Sequence, residues 1–258
     1  MLDKLDKKAT VFLSSIIISV GIFGAGFCIG KAFYLSKFLN RHITVKGLTE
    51  RDVKSDLGIW EIDYREIGGN LTELNQRIQH DQTQVVAFLK QQGFTDQEIA
   101  AQPVKLDDKL ANAYAGNNNN ITPEQRYIVT SGIRVRSNRV AIIQQSTQAA
   151  SALLQQGVPL AFDVNSVSPN PSYYFTGLDA IRPSMMADAT RSARSVAEQF
   201  AQDSGTVLGG IQTASQGVFQ IMSRDTSTMS ADWNSTDSAL GSIDKKVRLV
   251  TTVDYRLK

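Results

Sequence analysis

Leu57-Gly58-Ile59-Trp60-Glu61-Ile62-Asp63-Tyr64-Arg65-Glu66-Ile67 decides how this chain folds. Trp60, Ile62 and Tyr64 alternate with Glu61, Asp63 and Arg65, the period-two pattern of a strand with one buried face. Gly68-Gly69-Asn70 breaks the strand, and the period then changes. From Leu71 to about Gln92, the apolar residues Leu71, Leu74, Ile78, Val85 and Leu89 recur at helical spacing, and Gly93 stands where a helix stops. A half-buried strand followed by an amphipathic helix is a unit of an α+β domain, in which helices cover one face of a largely antiparallel sheet.

Working outward, Ile43 to Gly47 reads as an earlier strand. Downstream, an irregular strand is expected around Pro103 to Leu106, a polar loop at Asn117 to Asn120 and a strand from Tyr127 to Arg136. A second helix is expected from Arg139 to Gln156, with Val140, Ile143, Thr147, Ala150 and Leu154 inward and Gly157 closing it. Phe162 to Val164 and Tyr173 to Phe175 read as short strands. The longest helix of the domain spans about Leu178 to Asp203, its inward face drawn from Ala189, Ala193, Val196, Ala197 and Phe200, with Gly205 at its end. Val207 to Met222 is strand-like. Ser223 to Ser242, rich in Ser, Thr and Asp, is expected to be a mobile loop. Val247, Leu249, Thr251, Val253, Tyr255 and Leu257 alternate with Lys246, Arg248, Asp254 and Arg256 in a last strand. The expected fold is thus an α+β mixed sheet with about three packed helices.

A different pattern occupies the N-terminus. Ala9 to Gly30 carries no charge and is about as long as a helix that crosses a bilayer. Lys4, Lys7 and Lys8 could be the basic head of a cleaved signal ending at Gly24-Ala25-Gly26, or the run could continue uncut as a signal anchor. The absence of charge before Lys31 favours the anchor. The domain expectation is a tail at 1–8, a transmembrane anchor at 9–30, a linker at 31–42 and one folded domain at 43–258. The flanking lysines and arginines are too evenly divided to orient the helix. Gly26 and Gly30, with Gly21 and Ala25 at the same spacing, form small-residue pairs that permit close helix packing. Cys28 is the one cysteine of the chain. Phe27 precedes it where a lipoprotein signal needs a small residue, so it reads as an apolar side chain within the span.

Composition narrows the chemistry. The 258 residues are 42% hydrophobic and 20% charged, which suits a folded protein, and the net charge of +2 gives no electrostatic case for nucleic acid. The domain lacks the thiols for a disulfide or a thiolate zinc site. Its histidines are His42, near the membrane, and His80, whose neighbour Asp81 reads with it as a solvated helix face. No catalytic, cofactor-binding or metal residues are assigned. Glu61 and Asp63 share a strand face and form the candidate acidic pair. Arg65 follows at the same alternation and is placed to neutralise them, so a solvated face is favoured over acid–base chemistry. Arg134, Arg136 and Arg139 read as solvated surface.

Four stretches, in order, resemble the SIMPL domain family. Val45-Lys46-Gly47-Leu48-Thr49-Glu50 is similar to its opening V-x-G-x-x-E. Leu89 to Ile99 is similar to its helix exit, and Tyr127 to Arg136 to its central strand. Asp188 to Ile211 resembles its alanine- and arginine-rich helix with the glycine and x-x-L-G that follow, although Asp188 and Thr190 stand where glutamate and alanine are usual. The resemblance brings no catalytic motif. It implies a bacterial envelope protein that forms ring-like oligomers and has links to envelope or oxidative stress. It also implies that residues 43–258 lie in the periplasm, with the anchor in the inner membrane. The expectation is therefore a non-catalytic envelope scaffold whose partners are the membrane, further copies of itself and other envelope proteins. The alternative is a ligand-binding protein or hydrolase using the Glu61/Asp63 face or a cleft beside the Ser/Thr/Asp-rich stretch.

Overall fold

The structure, a computed structural model, describes residues 18–34, 41–111, 122–161, 170–224 and 239–258. The chain divides into two compact units. One takes the described residues of Thr49–Met186 and Val218–Leu249, the other those of Met1–Leu48, Ala187–Gly217 and Val250–Lys258.

The larger unit is built on the opening stretch. Strand β2 (Leu57–Gly68) pairs antiparallel with β5 (Tyr127–Ser137), setting Trp60 opposite Val135, Ile62 opposite Ile133 and Tyr64 opposite Ser131. Short strands extend this sheet: β3 (Ile99–Ala101) and β4 (Lys105–Asp108) pair with β5, and β6 (Leu160–Ala161) and β7 (Ser172–Tyr174) with β2. Helix α2 (Leu71–Gln91) covers one face. Asn70 caps it by accepting from the Thr72 N–H at 3.0 Å, and Gly93, at φ +90°, ends it. Leu74, Ile78, Val85, Phe88 and Leu89 are buried with the inward residues of β2 and β5, each such side chain contributing about 1.5–3 kcal/mol. Leu71, expected inside, is exposed at the mouth of the helix.

The expected second helix is two: α3 (Val140–Ala149) and α4 (Ser151–Gln155). The break follows from Thr147, whose hydroxyl donates to the Ile143 carbonyl at 2.8 Å, a back-bond that bends helices. The bend places Leu153 inside and leaves Leu154 exposed, the reverse of uninterrupted periodicity. Among the described residues, the domain therefore carries four α-helices, α2 to α5, rather than three, counting α5 below. Three-residue β3 was missed, and the strand expected from Pro103 begins at Lys105 because proline lacks the ladder donor.

The smaller unit takes the C-terminal part of β10 (Asp244–Leu257), which pairs with β8 (Leu208–Gln216), and the start of β1 (His42–Lys54), which flanks β10 on its other edge. Helix α5 spans Leu178–Asp203, with Gly205 (φ +67°) after it. Its buried line is Met185, Ala189, Ala193, Ala197 and Ala201, each one step of four from the last. Val196 and Phe200, expected inward, lie about 100° around the helix from this line and are exposed. Ala193 and Ala197 pack with Val45, Val253 and Tyr255. The strand expected over Val207 to Met222 divides into β8 and β9 (Gln220–Ser223), the latter paired to β10 within the larger unit. Two register shifts against β10 mark bulges in β8, which blunt an edge strand.

Helix α1 covers 18–34. No helix among the described residues is long and apolar enough to cross a membrane. Residues 9–17 of the apolar run, the loop at Asn117 to Asn120, the strand at Phe162 to Val164 and positions 225–238 of the Ser/Thr/Asp-rich stretch lie outside the described residues.

Candidate functional site

Gly47 explains the opening V-x-G-x-x-E. A side chain at this position would run into the Ala189 carbonyl and lie 2.7 Å from the Ala193 nitrogen and 2.9 Å from its Cβ. Glycine therefore lets the backbone of α5 rest on β1, and the alanine stripe is its counterpart. Two residues before it, Val45 is buried in the same contact. Glu50 acts in the larger unit, where it pairs with Lys246 at 3.4 Å and Arg248 at 3.8 Å.

The helix exit is tied by Glu98. Its carboxylate accepts from the Thr95 N–H and hydroxyl, both at 2.9 Å, and from Arg139 Nη2 at 2.5 Å. Arg139 also donates to the Gly93 carbonyl at 2.9 Å. Burial pushes the Glu98 carboxyl up, but the hydrogen bonds from Ser137, Thr95 and Arg139 outweigh it and hold the pKa at about 2.

The acidic pair is placed as expected on the sheet face away from α2, but it is neutralised differently. Arg134, opposite Glu61 across the β2–β5 ladder, pairs with its carboxylate at 2.7 Å. Arg65 turns instead to the Thr130 hydroxyl at 3.3 Å. Cross-strand neighbours sit closer than same-strand residues two apart, which is why Arg134 takes the role. A cavity of about 230 Å³ opens beside the pair at the edge of β2, lined also by Trp60, Ile62, Leu160 and Asn170. Asn170 accepts from the Glu61 N–H at 3.0 Å and donates to its carbonyl at 2.5 Å, filling the gap in the ladder between β6 and β7. Here Glu61 serves as a strut between strands. Of the basic trio, Arg134 and Arg139 are likewise engaged, with Glu61 and Glu98.

Asp81 corrects the reading of a solvated helix face. It is only 5% exposed, while His80 is exposed. Leu74, Ile78, Asp81, Val85 and Phe88 step by four and three along the inward face, so the polar residue occupies a core position. Its Oδ2 and the Tyr64 hydroxyl are both buried without a hydrogen bond. Burial, with the nearby Glu66 charge, raises the Asp81 pKa. A raised carboxyl binds its proton more tightly in the folded state, so this group favours folding at low pH and opposes it as pH rises through the folded pKa. Asp81→Asn is therefore expected to raise the unfolding midpoint at pH 7 by a few degrees and to have little effect near pH 3. Thermal melts at the two pH values check this.

Lys245 is the other charged residue that periodicity did not place. It begins the buried face of β10, is 2% exposed, and donates to the Ser242 carbonyl at 2.9 Å and to the Ala239 carbonyl. Burial pushes its pKa down.

The larger unit also carries a cleft of about 630 Å³, beside the Ser/Thr/Asp-rich stretch. Lys54 at the end of β1 and Ser55 after it, Val140, Ala141 and Gln144 from α3, Tyr173 from β7, and Ser223 and Gly241 to Asp244 line it.

In α1, Gly21, Ala25, Gly26 and Gly30 are exposed, and a Cβ built at any of the three glycines meets nothing within 4 Å. Cys28 is exposed on the same helix.

The two antiparallel arrangements, the glycine under an alanine-striped helix and the Glu98 exit clamp define an α+β domain of a particular kind. The family model of SIMPL, described as a protein of unknown function (DUF541), matches residues 43–255. The chain belongs to the SIMPL family. A comparison with curated proteins finds no match.

Proposed function

We propose that this protein is a membrane-anchored component of the bacterial envelope, with its SIMPL domain in the periplasm, acting as a homo-oligomeric scaffold without catalysis. The observation that carries the reading is α1. Ile18, Val20, Ile22, Phe23, Phe27, Ile29, Phe33 and Tyr34 are between 61% and 80% exposed, an apolar surface that calls for lipid or a second helix. The open Gly21, Ala25, Gly26 and Gly30 positions suit helix pairing, and other envelope proteins are the expected further partners. Light scattering of the full chain in detergent tests the scaffold. The expected result is a defined oligomer whose mass falls in the Gly26→Leu/Gly30→Leu double variant. A strictly monomeric protein contradicts it.

The 630 Å³ cleft favours a second reading, an envelope ligand-binding protein, because its volume lies in the range of small-molecule sites. The hydrolase version of that reading draws no support from Glu61, which is held by Arg134 and Asn170.

A further inference from the structure

Strand β8 ends its sheet. It pairs with β10 on one side, and no described strand lies on the other. The outward N–H and C=O groups of an edge strand are a template for a further strand, and proteins guard such edges with charge, proline or bulges. β1, at the opposite edge of the sheet, is guarded by charge, with Lys46, Glu50, Arg51, Asp52 and Lys54 along it. β8 is not. Its sequence, LGGIQTASQ, holds no charge and no proline, and it is the longest uncharged strand among those described. From Gly210 to Gln216 every residue is exposed, so no described element covers either face there.

The bulges guard only the first part of β8. Both register shifts fall where Leu208 to Thr213 runs against Asp254 to Leu257. Thr213, Ala214, Ser215 and Gln216 pair one to one with Asp254, Val253, Thr252 and Thr251, and their ladder is regular. Charge and symmetry decide what fits beside them. Two copies of one strand meet antiparallel about a two-fold axis, which sets each residue near the axis close to its own copy. A charged side chain there would face its like, at a cost, whereas threonine, serine and glutamine hydrogen-bond to one another. An uncharged strand of these residues is therefore complementary to itself.

We propose that β8 pairs antiparallel with β8 of a second copy of this chain through Thr213 to Gln216, joining two sheets edge to edge. The pairing supplies a contact between domains in the scaffold and rests on the scaffold reading, while the ligand-binding reading is independent of it. So short a ladder is weak alone, and pairing of α1 in the same assembly raises the effective concentration of the two edges.

The test measures by light scattering the mass of the full chain in detergent for Ala214→Lys/Ser215→Lys, for Ala214→Glu/Ser215→Glu and for an equal mixture of the two. Adjacent positions are changed together because they point to opposite faces, and both are exposed. Each variant alone is expected to fall to about half the parent mass or less. The mixture is expected to recover the parent mass, because lysine then faces glutamate. An oligomeric parent whose mass neither variant changes overturns this inference alone and leaves the scaffold to α1. A mixture that does not recover overturns the pairing of β8 with its own copy. A monomeric parent overturns the scaffold reading and this inference together. Hydrogen exchange of the unsubstituted oligomer reads the same contact without any variant. Alternate residues of an edge strand turn their N–H groups outward, yet all amides from Thr213 to Gln216 are expected to exchange about a hundredfold more slowly than an unprotected amide. Alternate amides that exchange at the unprotected rate overturn the pairing.

Discussion

Gly47→Ala is expected to lower the unfolding midpoint by roughly 6–12 °C, or to leave the protein insoluble when expressed. The added methyl meets backbone, the Ala189 carbonyl and the Ala193 nitrogen, and backbone cannot rotate aside as a side chain can. Either α5 lifts from β1, exposing Val45 and the alanine stripe, or the strand bends away from β10. Overpacking of this kind costs about 3 kcal/mol where the neighbours are rigid. Differential scanning fluorimetry decides it, and a midpoint within 2 °C of the parent protein would show that the contact is looser than described. Gly210, where a Cβ meets nothing within 4 Å, is the matched control; alanine there is expected to be neutral.

Glu98→Gln is expected to remove about 2 kcal/mol of stability at pH 7. Its carboxyl is lowered from the ordinary 4.5 of a glutamate to about 2 by partners that outweigh its burial. The stabilisation is present in full above the unfolded-state value and is lost as pH falls from about 4.5 towards 2. Urea melts of the parent and the variant should therefore converge across that window. A difference that persists undiminished at pH 2 would assign the effect to packing rather than to the charge. Because Arg139 joins Glu98 to the Gly93 carbonyl and immediately precedes α3, the same variant loosens the α2 exit and the entry to α3 together.

The architecture was legible wherever one periodicity held without interruption. Leu57 to Ile67 alternates cleanly, and β2 forms there with Trp60, Ile62 and Tyr64 inside. Leu178 to Asp203 was readable at both ends because Gly205 marks the stop. The apolar face of α5 was read correctly at Ala189, Ala193 and Ala197 but extended to Val196 and Phe200, because sequence weighs these above alanine, whereas the helix approaches β1 too closely for anything larger. Small residues won there through shape rather than hydrophobicity. The α3–α4 bend depends on one hydroxyl bonding to a carbonyl four residues back, a signal that an apolar count does not contain.

The site was less readable, for the same kind of reason. Glu61 was singled out from its strand, but its partner, Arg134, is seventy-three positions away and is chosen by ladder register. Asp81 occupies the core position between Ile78 and Val85, a gap that the heptad spacing marks once a charged residue is allowed inside. Tyr173 and α3 meet at the cleft only through tertiary folding, so no spacing in the chain announces them. Membership of the SIMPL family, by contrast, was carried by ordered local motifs: Gly47, which packs against the alanine stripe of α5, and the Gly93–Glu98 exit, which hydrogen bonds hold.

The central claim is that the apolar N-terminal helix holds the SIMPL domain in the membrane on the periplasmic side. It is tested most directly by fusing a compartment-sensitive reporter after Lys258 and sequencing the N-terminus of the mature membrane-bound protein. The account predicts a periplasmic reporter and an intact Met1 or Leu2 N-terminus. A cytoplasmic reporter, or a mature chain beginning near Phe27 and free of the membrane, would contradict it.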